Sequence, residues 1–239
     1  MSVRIEQWVR PEHLDPAAML AYRQAIHESR GRAAVLDNFL LPDKLAALQQ
    51  LFTSDGRFEP AYGLFERHPH DVAAEVFTAA PERQRFYFYH NLRGPAPGRE
   101  MAAGMLHNAL FTMLSRSAAW CNWLAAILGA PLEKQTAMHA RIMDRTMFMK
   151  QHDDGAHGAL CAIFYLSPGW QPAFGSTFVQ QRQGERMLDV APLANRLLLF
   201  SPRNGLSHGV TPFTEAAGDW QRWSYSLWYG SEADSTYEQ

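Results

Sequence analysis

Cysteine is nearly absent from this chain: Cys121 and Cys161 are the only two. Two thiols cannot build a disulfide framework, and Cys161 lies in an apolar run that suits a small core residue. An excess of charge of either sign is also missing. The 22 Lys and Arg nearly balance the 24 Asp and Glu, for a formal net charge of −2. That balance leaves no electrostatic footprint for nucleic acid or an anionic membrane. No apolar run approaches the roughly 20 residues that span a bilayer. Residues 1–15 mix charges with Trp8 and Val9 and carry no apolar core of a secretory signal. Internal repeats and low-complexity segments are absent too. The expectation is a soluble cytoplasmic protein in a reducing compartment.

What remains is a chain of 239 residues, 47% hydrophobic, enough for a substantial core. Residues 15–30 read as a helix, with Asp15 as cap, Pro16 in the first turn and Gly31 as stop. A short strand is expected at 35–40 and a helix at 43–52. Residues 53–69, with Gly56, Pro60 and Gly63, read as irregular surface structure. Residues 85–90 alternate as a strand, and 94–98 as a turn-rich break. Residues 100–128 form the strongest helical region, with Met105, Leu106, Leu110, Met113 and Leu114 at three- and four-residue steps. After Pro131 the texture changes to short strands separated by Gly, Pro and Asn: 138–149, 160–166, 175–181, 187–190, 197–200, 208–211 and 223–229. The expectation is one domain over 1–239. Residues 1–130 supply mainly helical support with early strands, and 131–232 supply a β core. No linker-like segment separates the halves.

The chemistry concentrates at His152-Asp153-Asp154, followed far along the chain by His208 and then Arg222. If the first segment is extended, alternation puts His152 and Asp154 on one face and Asp153 on the other. Two histidines and one carboxylate can hold Fe(II) on one side and leave open positions. An arginine beyond them can grip a carboxylate through two bonds. A lone His-x-Asp pair is a weak motif among ten histidines, so the neighbours carry the weight.

Those neighbours resemble a known family. Ala162-Ile163-Phe164-Tyr165-Leu166-Ser167-Pro168-Gly169-Trp170 resembles the strand and turn that follow His-x-Asp in prolyl-4-hydroxylase-like Fe(II)/2-oxoglutarate oxygenases. Gly175-Ser176-Thr177-Phe178 is similar to that family's Gly-Gly step. Asn195-Arg196-Leu197-Leu198-Leu199-Phe200 resembles the apolar strand before the distal histidine. His208-Gly209-Val210-Thr211-Pro212 resembles His-x-Val-x-Pro. Arg222-Trp223-Ser224-Tyr225-Ser226-Leu227-Trp228 resembles the last core strand. The chain departs from the pattern at Met149, where relatives carry a tyrosine, at Ser176, and in an insertion-like loop around Glu215 to Gly218.

The resemblance implies an α+β fold with a mainly β core, a double-stranded β-helix (jelly-roll, cupin-like) barrel with supporting N-terminal helices. It implies His152, Asp154 and His208 as Fe(II) ligands. Arg222 would hold the distal carboxylate of 2-oxoglutarate, and Tyr165 would donate a hydrogen bond to it; the competing reading of Tyr165 is a core aromatic. Ser224 shares the Arg222 face by alternation and would assist. The implied activity, with O2 as the other co-substrate, is hydroxylation of an unactivated C–H bond with release of succinate and CO2. The substrate would be an amino acid, a peptide or a natural-product intermediate. The alternatives are a prolyl-type protein hydroxylase, a cupin-like metal enzyme that needs no 2-oxo acid, and a non-enzymatic β-barrel binding module. Arg141, Arg145, His157, Trp170 and Arg203 are expected near the barrel mouth. Residues 86–90 either wall the pocket or sit in the core, the core being favoured, and 53–69 and 91–99 act as lids or as plain connections. The helical half either covers the barrel or forms a homodimer surface.

Overall fold

The computed structural model describes residues 3–67, 70–98, 102–154, 158–203 and 205–231. The first half runs α1 (Pro16–Glu28), β1 (Ala33–Leu36), α2 (Pro42–Gln50), β2 (Gly56–Leu64) and α3 (Ala74–Ala79). It continues through β3 (Arg85–Pro95), α4 (Ala103–Ser115) and α5 (Ala118–Leu128). The second half is built of strands: β4 (Lys134–Met143), β5 (Phe148–Met149), β6 (Leu160–Tyr165) and β7 (Phe178–Arg182). They are followed by β8 (Glu185–Val190), β9 (Arg196–Phe200), β10 (Ser207–Val210) and β11 (Arg222–Gly230). None of the described helices is long and apolar enough to cross a membrane.

Helix ends follow the local chemistry. The Asp15 carboxylate accepts the amides of Ala17 and Ala18 at 2.8 and 3.3 Å, satisfying donors that the first turn of α1 leaves open. The expected single helix over 100–128 is instead two. The Ser117 hydroxyl accepts the Trp120 amide at 3.2 Å and starts α5 afresh. Both helices bury apolar faces in the same core, so the periodicity runs across the break and hides it.

Two antiparallel sheets form the core. The larger has the order β1-β9-β6-β11-β4-β3-β2, with β5 paired to β3, and the smaller the order β10-β7-β8. One face of the large sheet, through Phe164, Leu199 and Leu227, packs on Phe111, Trp120 and Leu124 of α4 and α5. The opposite face, through Ile163, Tyr165 and Phe200, packs on Phe178 and Val190 of the small sheet. Covered on both sides, β6 is buried at all its positions, which is why it reads as an unbroken apolar run. The jelly-roll core is thus two facing sheets with helices outside.

Several expectations need correction. The first half is not only helical support: β1, β2 and β3 complete the large sheet. Residues 56–64, expected to be irregular, form β2, which pairs with β3 along its length. As the outermost strand it tolerates Pro60, which lacks a ladder donor. Gly63 is there because a Cβ would strike the Tyr87 ring at 2.2 Å. Residues 91–95 continue β3 rather than forming a lid, and α3 had no signal in the sequence reading.

One side chain ties the N-terminal layer to the core. Asn195, buried and at φ 63, accepts the Leu40 amide at 2.7 Å and donates to the Leu40 carbonyl at 2.9 Å. Its own carbonyl accepts the Phe39 amide at 2.9 Å. Asn195→Ala leaves two buried backbone groups without partners. The expected loss is about 3 kcal/mol of stability, read as a lower urea midpoint with unchanged slope.

Candidate metal centre and its cavity

His152 and His208, far apart in sequence, lie opposite each other in an isolated antiparallel bridge. Each donates its amide to the other's carbonyl at 2.8 Å. Directly opposed residues share a sheet face, so the two imidazoles project together, with ring centroids 4.3 Å apart. Close approach needs Gly209, where a Cβ would meet the Gln151 amide nitrogen at 3.0 Å. Asp154 lies between the rings. Its Oδ1 is 3.3 Å from His152 Nε2 and its Oδ2 is 3.2 Å from His208 Nε2. Ligand atoms of the three residues all fall within 4.8 Å of one another. Asp153 is exposed, whereas Asp154 is buried.

The surroundings orient these groups. The His152 Nδ1–H donates to the Lys150 carbonyl at 2.9 Å, turning Nε2 inward. The Trp228 Nε1–H donates to Asp154 Oδ2 at 3.2 Å. Phe86 packs edge-on against His152, and Phe178 and Phe200 flank His208. Burial by itself raises the Asp154 carboxyl, but the charges and hydrogen bonds of His152 and His208 outweigh it. They hold Asp154 well below the usual carboxylate range. Burial, and then the charge of His152, lower His208 below an ordinary imidazole, favouring the neutral form that binds metals. A preassembled N, N, O donor set with inward-facing Nε2 atoms fits Fe(II).

The triad lines a cavity of about 500 Å³, within the range of small-molecule sites. Arg222 and Ser224 share its wall. Arg222 is 5% exposed; its Nε has no hydrogen-bond partner, and its NH1 contacts only the Met143 sulfur, at 3.6 Å. Burial lowers the guanidinium pKa, yet arginine keeps its charge in proteins. Tyr165 is fully buried one layer behind, its ring 5.0 Å from the guanidinium carbon and its hydroxyl without a partner. Ser224 is opposite Tyr165 in the β6–β11 register.

The other sequence expectations divide. Arg141 and Met149 line the cavity. Arg145 instead pairs with Glu215 at the surface at 2.8 Å, and the Trp170 indole donates to the Gly175 carbonyl. Arg203 is exposed and off the cavity wall, and His157 lies outside the described residues. Phe86, Tyr87 and Tyr89, expected as core, also wall the cavity. Ser176 takes the second position of the Gly-Gly-like step at φ 57, the left-handed region, and is fully buried. Sequence reasoning missed Trp228 as the donor to Asp154, because the contact joins residues far apart in the chain. It also missed Gln180, which is fully buried with neither amide atom partnered. Gln180 is directly opposite His208, whose Nδ1 is likewise buried and unpartnered.

The family model described as the 2OG-Fe(II) oxygenase superfamily matches residues 138–230. No curated protein matches the chain. Among solved structures, a prolyl-4-hydroxylase from Pseudomonas putida is similar at 18% identity and TM-score 0.57, covering 90% of this chain and all of its own. A prolyl hydroxylase from Trichoplax adhaerens, in complex with a hypoxia inducible factor oxygen degradation domain peptide fragment, is similar at 16% identity and TM-score 0.61. That likeness covers 93% of each chain. A non-heme α-ketoglutarate-dependent epimerase of nogalamycin biosynthesis is similar at 15% identity and TM-score 0.56, covering 91% of this chain and 82% of its own. At these identities the structural likeness speaks for the fold.

Two outcomes are expected in a competition assay against a chromophoric chelator. His152→Ala abolishes high-affinity Fe(II) binding. Gln180→Leu, which removes an amide placed opposite the buried, unpartnered Nδ1 of His208, weakens it about tenfold, the usual size of an effect just outside the ligands; unchanged affinity would reduce Gln180 to a packing role.

Proposed function

We propose that the chain is a single-domain oxygenase of the 2OG-Fe(II) superfamily, whose family model matches residues 138–230, and that it hydroxylates a C–H bond of a small molecule or peptide. His152, Asp154 and His208 hold Fe(II), and Arg222 holds the distal carboxylate of 2-oxoglutarate. When bound, iron and 2-oxoglutarate with O2 supply the oxidising power, leaving succinate and CO2.

The observation that carries this reading is Arg222. A buried guanidinium with no carboxylate beside it among the described residues is costly unless an anion arrives. It opens onto the same cavity as the triad. A cupin-like enzyme without a 2-oxo acid has no requirement for that cation, and a plain binding module has none for the triad beside it. Tyr165 supports the guanidinium through its ring and offers its unpartnered hydroxyl to the same carboxylate. Ser224 keeps a polar wall next to Arg222. Phe86, Phe178 and Phe200 keep water from the imidazoles and lock their rotamers. Trp228 holds Asp154 so that one carboxylate oxygen is oriented before the metal binds.

A second reading, hydroxylation of a prolyl residue in a protein partner, draws on the prolyl hydroxylases among the fold neighbours. The two readings differ in what the cavity must admit, an extended peptide or a free small molecule. The cytoplasm is the proposed place of action, in keeping with two free, buried cysteines.

The test is an anaerobic titration of metal-free protein with Fe(II) and then 2-oxoglutarate, followed by visible absorption. A charge-transfer band that needs both additions is the expected result. Arg222→Ala is expected to weaken 2-oxoglutarate binding about 100-fold, and Tyr165→Phe only several-fold, as charged and neutral partners differ. A folded protein that gives no band would sink the oxygenase reading.

A further inference from the structure

The cavity holds a second cation that the proposed chemistry does not use. Arg141 lies on the same face of β4 as Met143, and is opposite Ser224 on β11. Its guanidinium carbon sits 4.6 Å from the Tyr89 ring and 5.5 Å from the Trp228 ring, held between two aromatics. Its NH1 makes a long contact to the Ser226 hydroxyl at 3.4 Å and its guanidinium also interacts with the Tyr89 hydroxyl, while its Nε is buried without a partner. The acids among the described cavity residues are both committed. Asp71 accepts from the Tyr87 hydroxyl at 2.6 Å and pairs with Arg93 at 3.0 Å, while Asp154 belongs to the triad.

Asn91 is opposite Arg141 in the β3–β4 pairing. Its Nδ2 donates to His139 Nδ1 at 3.4 Å, which leaves Oδ1 buried with no donor. Adjacent positions on one wall therefore offer an unmet cationic donor and an unmet neutral acceptor. Trp228 links them to the metal centre, since its N–H binds Asp154 while its ring flanks Arg141.

We propose that Arg141 and Asn91 anchor the prime substrate and that the substrate is a small free carboxylic acid with an N–H or O–H donor near its carboxylate, a free amino acid being the simplest case. This rests on the oxygenase reading above. Two cations on one wall repel each other, and 2-oxoglutarate brings its distal carboxylate to only one of them. Arg141 takes the substrate carboxylate through its guanidinium fork, and Asn91 Oδ1 accepts the neighbouring N–H or O–H. A residue within a protein chain has no free α-carboxylate, so an anchor for that group selects against a prolyl residue in a polypeptide.

The experiment is anaerobic titration calorimetry on protein loaded with Fe(II) and 2-oxoglutarate, with the charge-transfer band recorded in the same samples. The probes are L-proline, L-leucine, L-phenylalanine and their N-acetyl derivatives, each beside its primary carboxamide, together with an N-acetylated, C-amidated proline-containing pentapeptide. The expected result is that at least one free acid binds and its amide binds at least about tenfold more weakly. Arg141→Met, whose stem still packs between the rings, lowers affinity for the acid about 10- to 100-fold with the band intact. Arg141→Lys recovers only part of the loss because the fork is gone.

Equal binding of acid and amide, wild-type affinity in Arg141→Met, binding of the pentapeptide alone, or binding of no probe would each overturn the proposal. So would loss of the band in Arg141→Met, which would assign Arg141 to the co-substrate. Absence of the band in wild-type protein, visible before any probe is added, would overturn the oxygenase reading and this inference with it.

Discussion

The antiparallel bridge between His152 and His208 is the constraint on which the site depends. Its two backbone hydrogen bonds join a segment just after β5 to strand β10, and they set both imidazoles on one face. Asp154, two residues from His152, then falls between them. The ladder that carries His208 is itself fixed by β7, which is held against the large sheet by Phe178 and Phe200. The metal-binding geometry is therefore a by-product of sheet pairing. It is rigid because the core that supports it is packed on both faces.

A second theme is unmet polarity. Most buried polar groups in folded chains have partners. Here the exceptions include Arg222 Nε, Tyr165 hydroxyl, Arg141 Nε, Asn91 Oδ1, His208 Nδ1 and the Gln180 amide. Arg222, Arg141, Asn91 and His208 line the cavity, and Tyr165 and Gln180 are directly behind it. Such groups raise the free energy of the empty pocket and lower it again only when a ligand of matching chemistry arrives. The same low-dielectric surroundings that make them costly strengthen the interactions they form. The pattern of unmet donors and acceptors is thus a negative image of what the cavity binds.

The second half of the fold was legible in advance because its strands carry strong local signals. Apolar runs such as 160–165 and 196–200 are buried on both faces, and turn residues punctuate them. The first half was harder. The β2 segment carries Gly and Pro that are loop residues by local rules and are tolerated only because the strand lies at a sheet edge. The split between α4 and α5 left the apolar period intact, so periodicity could not locate it. Tyr87 and Tyr89 read as core and line a cavity, since an aromatic strand is the same in sequence whether its face meets protein or empty space.

By itself, the sequence determined the donor types and their order: His, Asp, His, Arg, each in a local pattern of alternation that selects Asp154 over Asp153. Alternation is a property of the extended backbone, so it needs no partner strand. Only the tertiary structure decided which distant residues become neighbours. It put Gln180 behind His208, Trp228 on Asp154, and Arg141 between Tyr89 and Trp228 with Asn91 opposite. Those contacts come from cross-strand register between segments far apart in the chain. Register is set by the summed packing of whole sheets rather than by any residue's own preference.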